Sequence, residues 1–231
     1  MPGPRCCDAG WPRSSIERVF DSPPVVLPVA APLAVALPRG GLTRGSVVSV
    51  LGQGATSLLF ALLAGPGGAA GHWAALVGMP GLGLRAAAEL GVDLDRVVLI
   101  PDPGSDVLQV VSILIDGVDL IAVSLPSSVR PAPARQRVIG GRLRQRGAVL
   151  LVAGPWPGAD LVLTARWVGW HGLGRGHGRL RDRELAVRVG GRRAAGPGVE
   201  VELLLRPSDR DAVQILPAVS RPALQPVARV G

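Results

Sequence analysis

Between residues 45 and 153 the chain alternates short, continuously apolar runs with longer segments of helical character, and no other feature narrows its fold as much. Residues 46–51 form a β-branched run that stops at Gly52. A helix is predicted over 56–63, with Thr56 or Ser57 near its start and the run Gly65-Pro66-Gly67-Gly68 closing it. Further strands are predicted over 72–79, 97–100, 118–125 and 148–153. Helices are predicted over 84–90, 105–115 (with Ser105 as N-cap) and 133–145. Strands that are apolar throughout need cover on both faces, which is the doubly wound α/β arrangement around a mostly parallel sheet. After Gly158 the period changes. Residues 160–170, 178–190 and 199–205 read as strands joined by Gly/Arg turns, with alternation in Leu185-Ala-Val-Arg-Val189, and are taken as antiparallel strands added at one edge of the sheet. The expected organisation is a flexible leader over 1–22, a core over 23–205 and an extended Pro-rich tail over 206–231.

All 25 basic residues are Arg; Lys and Asn are absent. Schiff-base chemistry, a phosphate-loop lysine and a Ser-Lys dyad are thereby removed. Cys6 and Cys7 are adjacent in the leader and only three His are present, so neither a disulfide framework nor a structural zinc site is expected. This cysteine usage fits a reducing cytoplasm. Hydrophobic residues make up 48% of the chain, but the most apolar stretch, 23–38, is interrupted by Pro24, Pro28, Pro32 and Pro38. Spanning hydrocarbon takes about 20 unbroken apolar residues, so a cytoplasmic protein with no membrane partner is expected.

The net charge of +8 is unevenly spread. Residues 130–146 hold six Arg and no acid, and residues 166–193 hold eight Arg against Asp182 and Glu184; the remainder is net −4. Such clusters serve either as solvated faces or as surfaces for nucleic acid or an acidic protein.

A strand, a glycine loop and a helix opening on Thr-Ser is how a phosphate-binding loop begins. Here the loop reads Gly52-Gln53-Gly54-Ala55-Thr56. It is shorter than G-x-x-x-x-G-K-[ST], and Ala55 stands where Lys is needed, so a plain strand-to-helix turn is the simpler reading.

The residues 37–52 (LPRGGLTRGSVVSVLG), 87–103 (AAELGVDLDRVVLIPDP) and 107–123 (VLQVVSILIDGVDLIAV), with the later 159–165 and 181–205, resemble the RecA recombinase core over about residues 35–205. The resemblance implies a RecA-like sheet with a vestigial nucleotide loop at Gly52, Gly54, Ala55, Thr56 and Ser57. By it, Ala55 replaces the Walker A Lys, Ser124 stands at the Walker B Asp that would hold magnesium, and Pro80 falls at the glutamate that polarises water. Three charges with separate tasks in phosphoryl transfer are missing, so no ATPase activity and no cofactor are expected. The segments corresponding to the RecA DNA-binding loops, 124–135 and 154–158, are also short. Among RecA-like proteins the chain resembles the ImuA type, in its shortened actinobacterial form. That resemblance implies a non-catalytic adaptor in damage-induced, translesion mutagenesis. Its partners would be an ImuB-like inactive relative of lesion-bypass polymerases and an error-prone replicative-type polymerase, with DNA as a further ligand. Alternatives are a SulA-like inhibitor of cell division and an ATP-dependent RecA paralogue that binds DNA.

For the partner or nucleic-acid surface the candidates are Arg142, Arg144, Arg146, Arg166, Trp167, Trp170, Arg175, Arg179 and Arg181. Trp beside Arg suits base stacking with phosphate contacts, a protein hot spot, or a packed sheet face with a basic rim. His171 and His177 lack acids or cysteines at ligand spacing, so no metal is expected.

Overall fold

The computed structural model describes residues 26–69, 71–126, 128–173, 177–194, 198–208 and 212–218. The leader 1–22, Arg175 and residues 219–231 of the tail lie outside the described residues. In chain order the elements are β1 (Val26–Pro28), α1 (Ala31–Ala34), β2 (Gly41–Thr43), β3 (Val47–Leu51), α2 (Ala55–Ala69), β4 (Ala74–Val77), α3 (Leu84–Glu89) and β5 (Val97–Ile100). There follow α4 (Val107–Leu114), β6 (Leu120–Val123), α5 (Pro133–Arg146), β7 (Val149–Ala153), β8 (Leu161–Leu173), β9 (Gly178–Gly190), β10 (Val199–Pro207) and β11 (Val213–Pro217).

Nine strands form one sheet in the order β11-β10-β9-β8-β3-β7-β6-β4-β5. From β8 to β5 all pairings are parallel, and from β8 to β11 all are antiparallel. The expected α/β, RecA-like sheet with antiparallel strands at one edge is what the chain forms. Apolar residues of α1, α2 and α3 fill one side of the sheet, among them Leu33, Leu58, Leu62 and Ala87, and those of α4 and α5, Val111, Ile139 and Leu143, fill the other. Every residue of β6 is buried, as two-sided cover requires.

Polar clamps fix the start of the central strands. Arg44, nearly buried, donates to Asp119 and to the carbonyl of Gly147, each at 3.0 Å, and so ties the approach to β3 to β6 and to the end of α5. The Asp160 carboxylate accepts the Val47 N–H at 3.0 Å, and the Ser49 hydroxyl accepts the Trp156 N–H at 2.9 Å. Each satisfies a backbone donor that would otherwise be lost on burial.

Several local expectations are corrected. Helix α2 continues through Gly65 to Ala69 rather than ending at the glycines. A Cβ on Gly65 would lie 2.5 Å from the Pro28 carbonyl oxygen, so this turn is where β1 crosses the helix, and that packing overrides the local sequence preference. The cap of α4 is Asp106, whose carboxylate accepts the Gln109 N–H at 3.0 Å, not Ser105. Strand β5 is the sheet edge, with Val98 and Leu99 exposed, rather than a fully covered strand. Within the expected tail, Val213–Pro217 is hydrogen-bonded to β10 as an edge strand. The Pro-interrupted stretch also folds: β1 pairs with β2, and Leu27, Leu33, Leu37 and Leu42 are buried. No helix among the described residues is long and apolar enough to cross a membrane.

Candidate functional site

In an open parallel sheet the binding crevice lies beyond the carboxyl ends of the strands. There the chain has a cleft of about 300 Å³ lined by Ala55, Thr56 and Leu59 of α2, by residues 78–82 after β4, by Ser124 after β6 and by Ala153 at the end of β7. Ala55, Pro80 and Ser124 therefore meet in space, as three functional positions of one site would. The lining contains no ionisable side chain; its side-chain polar groups are the Thr56 and Ser124 hydroxyls. A nucleotide triphosphate with magnesium requires a cation for the phosphates and a carboxylate for the metal, and neither is present in this lining.

The loop below the cleft is closed by packing. Gly52 has φ +93°, a conformation that favours glycine, and a Cβ there would collide with the Ala165 carbonyl oxygen of β8. A Cβ on Gly54 would collide with Cδ1 of Leu185 and lie 3.2 Å from the Ala165 Cβ. The Gly54 N–H donates to the Ala165 carbonyl (3.2 Å) and the Ala55 N–H to the Gly52 carbonyl (3.1 Å). A phosphate cradle needs such amides free and convergent, but here two are committed to the backbone. Ser57 is half-buried and does not line the cleft.

A second constellation stands on the β8–β9 hairpin. Strand alternation would place Trp167 and Trp170 on opposite faces. A register shift between Trp167 and Gly169 puts Trp167 opposite Leu185 and Trp170 opposite Arg183, so both indoles share one face. Their rings lie 5.5 Å apart, tilted at 38°, and the Arg183 guanidinium sits 5.8 Å from both centroids. Trp170 is half exposed. Arg179 and Arg181 precede Arg183 on β9, in the stretch where a second register shift, between His171 and Leu173, interrupts the pairing. Both are exposed and neither forms an ion pair among the described residues. Arg166 is on the other face, paired with Glu200 at 2.6 Å. His171 Nε2 lies 2.9 Å from Glu184 Oε1, and no group of three or more His, Cys, Asp and Glu suited to a metal occurs among the described residues.

Residues 35–158 match the model of the family described as MT3502 N-terminal domain. The chain belongs to that family. It is 44% identical over 137 residues to the uncharacterized protein Rv3395c of Mycobacterium tuberculosis, an alignment covering 59% of this chain and 63% of that protein. It is also 35% identical over 121 residues to the RecA protein of Streptomyces avermitilis and 32% identical over 134 residues to that of Kineococcus radiotolerans. These alignments cover 50% and 54% of the chain but only 32% and 38% of the RecA proteins. The chain is RecA-related, and it spans less than two thirds of each of these relatives.

Within this MT3502 N-terminal domain the matched segment contains β2 to β7 and hence the whole cleft; the Trp-Arg hairpin lies after it. The Arg cluster on α5 does not act as one surface. Arg142 and Arg146 both pair with Asp116, at 2.6 and 3.1 Å, and Arg135 holds Asp106 with both contacts under 3 Å. Only Arg144 of the three α5 candidates is without an ion pair among the described residues. The Arg135 hydrogen bond, followed by the Gln109 N–H, holds the Asp106 carboxyl below its ordinary value of 3.8. Sequence reasoning missed Arg183 because its partners come from another strand and through a bulge. The available signal was the cross-strand pairing implied by two Arg-rich and Trp-rich strands in sequence.

Proposed function

We propose that this RecA-related chain is a non-catalytic accessory protein of damage-induced, error-prone DNA synthesis, and that the Trp167–Trp170–Arg183 face of the β8–β9 hairpin binds a polymerase-related protein. The partner class is an ImuB-like inactive relative of the lesion-bypass polymerases, together with an error-prone replicative-type polymerase. The observation that carries the reading is the uncharged lining of the cleft where Ala55, Pro80 and Ser124 meet. With those three residues together, the lining of this cleft offers no side chain suited to the cationic, metal-binding or water-polarising tasks of phosphoryl transfer, which supports a non-catalytic reading. What is left to such a body is its surface. A Trp pair capped by Arg, with Trp170 half exposed and Trp167 packed against the core, on a hairpin that also carries the exposed Arg179 and Arg181, has the composition of a protein hot spot.

The test has two parts. Millimolar Mg-ATP should leave the melting temperature unchanged, whereas a ligand at a hundred times its Kd stabilises by about 2.7 kcal/mol. From cells treated with a DNA-damaging agent, the tagged protein should co-purify with a lesion-bypass polymerase relative, and W170A/R183A should lose it. A saturable Mg-ATP shift, or capture of a cell-division protein, as the SulA-like alternative implies, or of nucleic acid alone, overturns the proposal.

A further inference from the structure

The carboxylates that pair with α5 leave Arg137 and Arg144 without an ion pair among the described residues, Arg137 Nε donating to the Pro133 carbonyl at 3.4 Å, and both border one cleft of about 320 Å³ between that helix and residues 156–160. The two lie seven residues apart, on one helix face. Arg192, from the turn after β9, joins them at the rim. Val47 and Trp156 of the lining are nearly buried, and Trp156 is fixed by its N–H bond to Ser49. The one carboxylate in the cleft, Asp160, is committed: it accepts the Val47 N–H and pairs with Arg193 at 3.2 Å and Arg192 at 3.6 Å. Gly140, between these two arginines, leaves the helix surface bare; a Cβ there would lie 3.4 Å from an Arg144 terminal nitrogen.

We propose that this cleft binds a phosphate group. Arg137 and Arg144 carry charge that no carboxylate neutralises, while Arg192 is held by the Gly158 carbonyl and Asp160; the cleft is therefore net positive and walled, and guanidinium matches phosphate oxygens with paired, charge-assisted hydrogen bonds. Two sources share this chemistry, a small phosphorylated ligand and the backbone of a single-stranded nucleic acid. The site is separate from the Trp-Arg face and does not depend on the partner reading.

The full chain is titrated with inorganic phosphate against chloride at matched ionic strength, followed by thermal melting and calorimetry, and with a labelled oligothymidylate followed by anisotropy. Phosphate should bind saturably. R137Q and R144Q should each weaken it by about tenfold, the loss of one charge-assisted contact, while R142Q and R146Q leave it unchanged. Oligothymidylate binding that needs Arg137 and Arg144 and is displaced by phosphate assigns the nucleic-acid backbone; phosphate binding without it assigns a small ligand. The variants replace exposed side chains, and an unchanged melting temperature without ligand shows that each is folded. Absence of any saturable response to both probes, equal weakening in R142Q, or preference for polyglutamate over both probes overturns the inference.

Discussion

If the loop between β3 and α2 is closed by packing rather than open to a phosphate, its closure is measurable as a coupling between Gly54 and Leu185. Leu185 is fully buried in the core on the α2 side of the sheet. Truncating it to Ala removes three carbon atoms, about 2.4 kcal/mol at roughly 0.8 per buried carbon, and with the cavity left behind the loss is about 3–4 kcal/mol. In Gly54→Ala the new methyl would collide with Leu185 Cδ1 and press on Ala165, 3.2 Å away. In a close-packed interior such crowding costs about 1–3 kcal/mol. The double variant places the new methyl in the space the leucine vacates. Its destabilisation should therefore fall short of the summed single values by about 1–2 kcal/mol, well above the ~0.5 kcal/mol scatter of independent sites. Urea unfolding followed by Trp fluorescence gives all four values, and for a chain of this size each kcal/mol corresponds to about 2–4 °C in Tm. Additive singles, or a Gly54→Ala variant as stable as wild type, would refute the packed loop and reopen the phosphate reading.

Gly52→Ala should destabilise more than Gly54→Ala and should not be rescued by Leu185→Ala, since its obstacle is the Ala165 carbonyl and its own φ of +93°; the same urea series reads this. Arg183→Ala should cost little stability in the urea series, about 1 kcal/mol at most for a half-exposed cation–π pair, while shifting the emission of the Trp167–Trp170 pair. Because Arg135 and Gln109 lower the Asp106 pKa in the folded state, their stabilisation is fully present above the ordinary carboxylate pKa and fades as pH falls through the lowered one. Arg135→Gln should thus lower Tm at pH 7, and its deficit relative to wild type should shrink below pH ~4, as melting curves across pH will show. Adding Lys and Asp at the vestigial positions (A55K/S124D) should not create Mg-ATP binding, because two loop amides remain bonded to backbone; a saturable thermal shift would contradict this.

The sheet was legible because its strands are apolar on both faces and its helices are punctuated by glycine and proline. The cleft was legible through Ala55, Pro80 and Ser124, which sequence separates by up to 69 positions and the carboxyl ends of the strands bring together. What escaped depended on tertiary contacts. Gly65 reads as a helix stop until β1 is found lying across it, and Val213–Pro217 reads as a loose tail until β10 offers its edge. The pairing of Trp167 with Trp170 needs a bulge that period-two reasoning does not supply. The split of the α5 arginines is different, because helical spacing alone separates residues 135, 142 and 146 from 137 and 144. Only the positions of Asp106 and Asp116 show which set is neutralised.

Gly52 and Gly54 show why glycine in a strand-to-helix turn is weak support for phosphate binding. In a phosphate loop the missing Cβ lets backbone amides approach an anion. Here it lets the turn approach β8 and Leu185, and the same amides point into protein. The chemistry that distinguishes the two cases is therefore the destination of the N–H groups and the charge of the surrounding side chains, and both have moved. Cationic groups are absent from the cleft over Ala55 and gathered instead at the α5 cleft and on the β8–β9 hairpin. An anion approaching this RecA-related core meets its complementary charge at those two surfaces and an uncharged lining at the strand ends. Under the proposed function, that distribution supports recognition of another molecule at the surface.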